Sequence, residues 1–368
     1  MTTSTAGRCV LIAAGGTGGH VIPGLEVAKE LRRRGWVCVF VGTARGFENR
    51  LVPAAGFDLR HVPAGALNRV SMRRRLATLL SLPAAISVAA GLVLAYRPAA
   101  ALSLGGYAAG PLVLASALMD VPLVLLEPNA RPGLANRLAA LVARRALVCH
   151  PTAERRFRSA SCQLAKLPVR KEFFEAQGKA PGDPFTVLIL GGSQGAARLN
   201  EAALEAVRIW RDEGRQCPRL LHQTGERDAD DVSAAYREAG VEAEAAAFFD
   251  NVPRLFSQAD LVVCRAGASV IAELCAASKP AVLVPFPFAA DNHQQANGAA
   301  VTQAGGTLLC DDSEWTGQRM VREIDALSAD PGRLQRMSRA LAQMSPRGAA
   351  EDVADAVAQA AARSGGLN

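Results

Sequence analysis

Short apolar runs alternate with amphipathic stretches along the chain. The first run, Cys9–Ala14, is continuously apolar, as is typical of a parallel strand buried on both faces. The next stretch, Leu25–Arg34, sets apolar residues at helical spacing among charged ones, which predicts an amphipathic helix. This alternation predicts a doubly wound parallel α/β sheet in the first half of the chain. Its other predicted strands are Val37–Val41, Arg60–Val62, Ala100–Ser103, Leu123–Leu126 and Ala146–Cys149, with helices near Phe47–Ala55, Leu112–Ala117 and Gly133–Ala143.

The opening pattern recurs in the second half. A strand at Thr186–Leu190 runs into the glycine turn Gly191–Gly195 and a helix at Leu199–Ile209. We therefore predict two Rossmann-like domains, residues 1–170 and 185–348, joined by a linker at 171–184 that ends in a stretch rich in Gly and Pro. An alanine-rich helix at 349–364 is expected to pack back on the first domain. Later strands are predicted at Arg219–Gln223, Ala245–Phe248, Leu261–Cys264, Ala281–Pro285 and Thr307–Leu309.

The first glycine turn, Gly15–Gly19, joins the first strand to the first helix. Backbone N–H groups at such a helix N-terminus can hold a negative group, although the turn could also serve only to pack the helix on the sheet. His20 favours a ligand site, because it is a titratable group at the carboxyl ends of the strands. The spacing is not G-x-G-x-x-G, and the strand Val37–Val41 ends without an acidic residue, so NAD binding is disfavoured.

Residues 69–97 differ from the rest of this half. Arg73, Arg74 and Arg75 precede Leu76–Ala95, which carries no charged residue. A membrane span is not expected, because the stretch is only weakly apolar and lies between strands of one sheet. We expect two shorter helices broken at Pro83. They could form an ordinary buried pair or a membrane-surface patch, in which the arginines lie beside Leu76, Leu79, Leu80 and Leu82.

Composition narrows the choice of partner. The chain has 368 residues and a net charge of +7, which suits a nucleotide, a phosphorylated substrate or an acidic membrane surface. We see no zinc-finger spacing or basic recognition helix, so nucleic acid is not expected. The eight cysteines show no C-x-x-C spacing and the start of the chain has no secretory signal, which together predict a reduced, cytoplasmic protein.

Two polar stretches follow strands in the second half. After the strand at Leu261, the segment Arg265–Ser269 opens a helix that carries Glu273, an arrangement suited to a diphosphate and a ribose. Glu273 could instead be a solvated helix residue. The segment Asp291–Asn297 offers amides and an acid for the hydroxyls of a sugar, although Asp291 or Asn292 could instead be a helix N-cap.

Six motifs in order resemble one enzyme family over nearly the whole chain. The chain is similar to the bacterial peptidoglycan enzymes that move N-acetylglucosamine (GlcNAc) from UDP-GlcNAc onto lipid I, the undecaprenyl-diphospho-MurNAc-pentapeptide, to make lipid II. The resemblance implies a GT-B fold, in which two Rossmann-like domains face each other across a cleft that holds the site. We predict an inverting transfer with no metal and no other cofactor, because we identify no Asp-x-Asp sequence that would chelate a metal at the diphosphate. The matching motifs are Gly15–His20, Gly105–Tyr107, Gly191–Gly195, His222–Glu226, Arg265–Glu273 and Asp291–Asn297.

The resemblance also implies roles for individual residues. The first domain would meet the acceptor, and the second would hold most of the donor, with Glu273 on the ribose, Gln294 on GlcNAc and the backbone of Phe249 beside the uracil. His20 is the candidate general base because histidine titrates near neutral pH, and Glu127 is the alternative because it ends a strand at the same crevice. His20 could also merely orient the turn. Further donor contacts are implied for Thr17, Gly18, Gly19, Asn129, Arg170, Ser193, Ala268, Ser269, Val270, Ile271 and Ala272.

Other functions share this architecture. A glycosyltransferase acting on diacylglycerol is the first alternative, and a UDP-GlcNAc epimerase is a weaker one, because it would want more acidic and histidine groups. A non-catalytic UDP-sugar-binding membrane scaffold would follow if departures from the family pattern had cost acceptor binding. Those departures are Leu126, Pro128, Lys166 and Leu167. In the favoured interpretation the enzyme is peripheral on the cytoplasmic face of the bacterial inner membrane.

Overall fold

A computed structural model describes residues 8–16, 18–65, 72–157, 161–176, 183–192 and 195–362. The chain divides into two compact units. The first comprises residues up to Val169 together with those from Gly348 onward, and the second is Arg170–Arg347. Arg170 therefore groups with the second unit, one residue before the predicted linker.

The first unit is built on a parallel sheet with strand order 3-2-1-4-5-6-7 over its described residues. The order reverses between β1 and β4, and ligands of doubly wound sheets bind at such a switch point. The strands are β1 (Cys9–Ala14), β2 (Val37–Gly42), β3 (Asp58–His61), β4 (Ala100–Gly105), β5 (Leu123–Glu127), β6 (Arg145–Val148) and β7 (Ser161–Leu164). The helices are α1 (Gly18–Arg33), α2 (Glu48–Ala54), α3 (Met72–Tyr96), α4 (Ala109–Leu118), α5 (Leu134–Ala139) and α6 (Pro151–Glu154).

Apolar runs become the central strands, as their sequences predict. Val10, Leu11 and Ile12 of β1 are fully buried because helices cover both faces of the sheet. Helix α1 lies very close to β1 at Gly24, where a Cβ atom would stand 2.9 Å from the Cβ of Ala14. A glycine is therefore needed there to let the helix approach the sheet.

Helix α3 corrects one prediction. The chain does not break at Pro83 but runs as one helix from Met72 to Tyr96. Proline in a helix interior costs about 3 kcal/mol. Burial of Ala85, Ala89 and Val93 at helical spacing offsets that cost, because it places the second half of the helix against α4. In the described part of the chain, no helix is long and apolar enough to cross a membrane.

The last helix, α14 (Ala349–Ala362), packs in the first unit against α1, β4, β5 and β6. Val353 and Val357 are fully buried. Arg34 forms an ion pair with Asp355, and Arg144 donates to the carbonyl of Ala360 at 3.2 Å. This segment thus belongs to the first unit, although the second unit precedes it in the chain.

The second unit repeats the architecture with the described strand order 10-9-8-11-12-13, again all parallel. Its switch point lies between β8 and β11. The strands are β8 (Thr186–Leu190), β9 (Arg219–Gln223), β10 (Ala243–Ala246), β11 (Leu261–Cys264), β12 (Ala281–Leu283) and β13 (Thr307–Leu309). The helices are α7 (Ala197–Asp212), α8 (Ala229–Ala239), α9 (Val252–Gln258), α10 (Ala268–Ala277), α11 (His293–Gln303), α12 (Gly317–Ser328) and α13 (Pro331–Gln343).

Candidate active site

Two glycine turns meet at the switch point of the first unit. One follows β1 and the other follows β4, and Gly106 lies so close to Gly15 that a Cβ on Gly106 would stand 2.3 Å from the Gly15 carbonyl oxygen. Gly106 also has a φ of 88°, which favours glycine. The ring of Tyr107 lies beside Gly16, 3.9 Å from where a Cβ would stand. The motifs Gly15–His20 and Gly105–Tyr107 are therefore neighbours in the fold.

Glu127 ends β5 as a buried carboxyl group, only 1% exposed. Its Oε1 accepts from the backbone N–H of Asn129 at 2.8 Å and from the Asn129 side-chain amide at 3.2 Å. Its Oε2 accepts from the side-chain amide of Asn136 at 2.8 Å. Burial raises the pKa of Glu127 to about 7, although the bonds from Asn129 and Asn136 favour the ionised form. Glu127 is thus poised to change charge near neutral pH.

His20 lies close to the Asn136 amide that contacts Glu127, with Gly105 beside both side chains. A Cβ on Gly105 would stand 3.4 Å from Nε2 of His20 and 3.4 Å from both side-chain amide atoms of Asn136. The imidazole and the amide therefore both lie beside Gly105, whose φ of 100° favours glycine. Glu127, Asn136 and His20 lie in one polar cluster at the carboxyl ends of β1, β4 and β5. The half-buried His20 is its more accessible titratable member.

In the second unit, α10 begins at Ala268 directly after the turn that follows β11. Its N-cap is Gly267, which has no side chain to cap the first N–H groups. Glu273 lies one turn into this helix and is partly buried. Burial raises the pKa of Glu273 to about 7, while the positive charge of Arg170 opposes that shift. Ser269, Val270, Ile271 and Ala272 are likewise partly exposed.

The second glycine turn is held against the end of β9. Gly191 donates to the carbonyl of Gln223 at 3.0 Å. Gly195 has a φ of 74° and could not carry a Cβ, which would stand 2.4 Å from the Thr224 carbonyl oxygen. The backbone N–H of Phe249 donates to Oε1 of Gln223 at 3.3 Å. The backbone N–H of Phe249 is therefore bonded within the protein. If Phe249 contacts a nucleobase through its backbone, the contact is made by its carbonyl oxygen.

His222 stands behind this turn as a buried, neutral group. Burial lowers the pKa of His222 to about 3. Its Nδ1 lies 2.8 Å from the hydroxyl of Tyr236, and its Nε2 lies 3.0 Å from Oδ1 of Asn200. Asn200 in turn donates to the Thr224 carbonyl at 3.1 Å. His222, the first residue of the motif His222–Glu226, therefore supports the turn and does not change charge near neutral pH.

A pocket of about 440 Å³ lies beside the same turn. Arg265 forms an ion pair with Asp312 there and donates to the carbonyl of Val284 at 3.2 Å. Oε1 of Gln294 accepts from the backbone N–H of Phe286 at 2.8 Å. Arg265 thus fixes the loop after β12. That loop in turn holds the side chain of Gln294 through the Phe286 N–H. The lining includes Gly195, Arg198, Arg265, Phe286, Phe288 and Gln294.

The prediction of a metal-free site assumed that the chain has no Asp-x-Asp sequence, and that premise is wrong, because Asp228-Ala229-Asp230 occurs at the start of α8. Asp228 accepts from Asn200 at 2.8 Å and pairs with Arg227 at 2.8 Å. Among the described residues, no group of three His, Cys, Asp or Glu side chains could hold a metal ion.

The structure brings the predicted residues into two groups, one in each unit. Gly18, Gly19, His20, Glu127 and Asn129 lie at the switch point of the first. Arg170, Phe249, Ala268–Glu273 and Gln294 belong to the second. Thr17 and Ser193 lie outside the described residues. Sequence reasoning missed Asn136 and the pairing of Arg265 with Asp312, because neither contact leaves a local pattern in the sequence.

Comparison with known proteins identifies the family. The glycosyltransferase family 28 N-terminal domain matches residues 10–148 and the C-terminal domain of that family matches residues 186–353. A UDP-N-acetylglucosamine–N-acetylmuramyl-(pentapeptide) pyrophosphoryl-undecaprenol N-acetylglucosamine transferase from Solibacter usitatus is 43% identical over 361 residues, 98% of each chain. The enzyme of that name from Myxococcus xanthus is 35% identical, over 94% of this chain and 91% of its own. The crystal structure of Acinetobacter baumannii MurG matches with a TM-score of 0.77 at 28% identity, over 96% of this chain and 99% of its own.

The chain belongs to the MurG family. The predicted family and the predicted GT-B class, two Rossmann-like parallel-sheet domains, are thereby confirmed. A putative UDP-N-acetylglucosamine 2-epimerase from Listeria monocytogenes also matches, with a TM-score of 0.70, but at 15% identity it shares the fold alone. MurG family membership makes the protein a glycosyltransferase, and the epimerase alternative is set aside.

Proposed function

We propose that this protein transfers GlcNAc from UDP-GlcNAc to lipid I and so forms lipid II in peptidoglycan synthesis. The observation that carries the proposal is the 43% identity to a curated transferase over 98% of both chains. The polar cluster of His20, Asn136 and Glu127 in the first unit and the uncapped start of α10 in the second supply the chemistry that the transfer needs.

The donor is held mainly by the second unit. The N–H groups at the start of α10, Ala268–Val270, point toward the helix N-terminus, where a diphosphate gains from the helix dipole. Glu273 accepts from the ribose hydroxyls, and the positive charge of Arg170 favours the ionised form of that carboxyl group. Oε1 of Gln294 is engaged by the protein, so its amide nitrogen is the group that donates to a GlcNAc hydroxyl. The family resemblance supports further donor contacts by Gly18, Gly19 and Asn129, whereas the two other implied contacts, Thr17 and Ser193, lie outside the described residues.

The reaction is a single displacement that inverts the anomeric carbon. The acceptor hydroxyl oxygen forms a bond to C1 of GlcNAc while the bond from C1 to the UDP oxygen breaks. The bonding pair leaves with UDP, and the backbone donors of the second unit stabilise its charge. The hydroxyl proton passes to a base of the first unit.

His20 is that base in our proposal. It is the accessible titratable group of the cluster, whereas Glu127 is 1% exposed and accepts hydrogen bonds at both oxygens. A general base must reach the proton that it removes. Glu127 instead orients Asn136 and, across Gly105, the imidazole.

The proposal is tested by incubating the protein with radiolabelled UDP-GlcNAc and either lipid I or diacylglycerol. Label in the lipid II product alone is the expected result, and label only in the diacylglycerol product would overturn it. His20→Ala should lower kcat about 10²–10⁴-fold while calorimetry still shows UDP-GlcNAc binding. A near-normal kcat in His20→Ala would exclude His20 as the base and move the role to Glu127.

We further propose that the first unit docks peripherally on the cytoplasmic face of the membrane. Leu118 at the end of α4 is 78% exposed, and Leu138 and Leu141 near α5 are 57% and 64% exposed. Helices α4 and α5 contact each other, so these exposed leucines lie on neighbouring elements and are suited to meeting a lipid surface. Arg73–Arg75 at the start of α3 would add roughly 1 kcal/mol each near an anionic leaflet.

Co-sedimentation with vesicles of anionic and of neutral lipid tests the docking. Binding should require anionic lipid, weaken with salt and fall when Leu118, Leu138 and Leu141 are replaced by Ser. Val37→Ser is the matched control, because Val37 is 50% exposed at the start of β2. Equal loss of binding in the control would contradict this surface, and resistance to carbonate extraction would contradict peripheral attachment.

A further inference from the structure

A carboxylate lies directly behind the first glycine turn. Glu48, the first residue of α2, is fully buried. Its Oε2 accepts from the backbone N–H of Gly16 at 2.9 Å, and its Oε1 accepts from the backbone N–H of Thr43 at 3.0 Å. The hydroxyl of Thr43 lies 3.1 Å from Oε1 as well. Glu48 therefore joins the turn after β1 to the loop after β2.

Three glycines make room for this side chain. A Cβ on Gly15 would stand 2.9 Å from Oε1 of Glu48, one on Gly42 2.7 Å from its Cγ, and one on Gly46 2.1 Å from its Oε2. Any side chain at these positions would force the carboxylate to move. The close fit fixes the position of Glu48, and through it the position of the Gly16 backbone.

The contact is costly if it serves stability alone. Within the described chain Glu48 forms no ion pair, so its charge is held by backbone and hydroxyl donors without a cation. Burying a carboxylate costs several kcal/mol before such bonds are made, and an apolar residue would fill the space at lower cost. The carboxylate fixes the direction of the Gly16 N–H by accepting its hydrogen bond. An apolar side chain could not do this.

We propose that Glu48 is a positioning residue of the transferase, which acts by holding the glycine turn that leads into His20. The proposal rests on the proposed function, because the turn matters only if it faces the reacting groups. Glu48 itself touches no substrate. Its loss lets the turn shift, and misplacement of a catalytic group by about 1 Å can cost 10²-fold in rate.

Glu48→Gln is the first test, because the amide keeps the shape but presents a donor to one of the two N–H groups. We expect kcat to fall about 10- to 100-fold, while the KM for UDP-GlcNAc changes less than about threefold, since the second unit holds most of the donor. Glu48→Asp should recover part of the lost kcat. Asp58→Asn, an exposed carboxylate on β3 of the same unit, is the matched control and should leave kcat unchanged.

A second variant reaches the same contact from the other side. Gly46→Ala leaves Glu48 in place but displaces its carboxylate, so it should lower kcat as Glu48→Gln does. In a Glu48→Ala background, Gly46→Ala should add nothing, because the atom it collides with is gone. Additive losses in this double-mutant cycle would overturn the proposal.

Hydrogen exchange read by mass spectrometry separates positioning from general destabilisation and needs no activity. In Glu48→Gln, peptides that contain Gly16 should lose protection while peptides from β4 and β5 keep it. Loss of protection throughout the first unit would mean that Glu48 is merely structural. If the wild type fails to transfer GlcNAc, the proposed function fails, and exchange at Gly16 still decides whether Glu48 holds the turn.

Discussion

The buried carboxyl group of Glu127 makes the stability of the first unit depend on pH. In the unfolded chain Glu127 ionises near its ordinary pKa of 4.5, whereas burial raises the pKa in the folded protein to about 7. Between these values the folded protein binds a proton that the unfolded chain has lost. The free energy of unfolding must therefore fall as the pH rises through this window. Replacement by Gln removes the titration and keeps the shape.

The magnitude follows from the two pKa values. The contribution of Glu127 is fully present below pH 4.5 and is lost as the pH passes about 7. Each unit of difference corresponds to about 1.4 kcal/mol, so Glu127 should reduce the free energy of unfolding by roughly 2.5 kcal/mol between about pH 5 and about pH 8. Over the same pH range, the free energy of unfolding of Glu127→Gln should therefore rise relative to that of the wild type by roughly 2.5 kcal/mol.

The assay is urea unfolding across this pH range, read by pulsed hydrogen exchange of peptides from the first unit. Peptide-level readout is needed because a chain of two units need not unfold in one step. Other titrating groups contribute equally to both proteins and cancel in the difference. A difference that stays constant with pH would refute the raised pKa, and with it the view that Glu127 changes charge near neutrality.

Three further substitutions test other parts of the site and fold. Glu273→Gln should weaken UDP binding by about 1–3 kcal/mol, because a charged acceptor for the ribose hydroxyls is lost, and an unchanged dissociation constant in calorimetry would remove Glu273 from the donor site. Gly106→Ala should destabilise the first unit by more than about 2 kcal/mol in urea, since φ is positive and the methyl group meets the carbonyl of Gly15. Gly91→Ala, in an open position of α3, should instead stabilise it by about 0.5–1 kcal/mol. Equal effects of the two glycine substitutions would contradict the packing described here.

Strands and glycine turns could be predicted from sequence because their signals are local. A buried parallel strand is apolar throughout, as at Cys9–Ala14, and the turn after it must be glycine where backbones meet. Helix α3 was less predictable. A proline and several small residues suggested a break at Pro83, whereas the helix is continuous and its second half packs against α4, a contact that the local pattern does not record.

The candidate site shows the same contrast between features that have a local sequence signal and features that depend on packing. His20 and Glu127 could be placed at one crevice because His20 follows the glycine turn after β1 and Glu127 ends β5. The amide of Asn136 could not, since it reaches Glu127 from a helix whose angle no sequence pattern records. Glu48 was recognisable only as part of the helix predicted near Phe47–Ala55, because its main partners are backbone N–H groups that other residue types could also supply.

The chain crosses from one unit to the other twice, near Val169 and near Gly348, since α14 packs with β4, β5 and β6 of the first unit. During synthesis the sheet of the first unit emerges early but must wait for this last helix to cover it. The second unit, contiguous from Arg170 to Arg347, has its whole sequence available before α14 leaves the ribosome. Vectorial synthesis would therefore let the second unit mature first, while the first unit, which carries His20, stays incomplete until translation is nearly over.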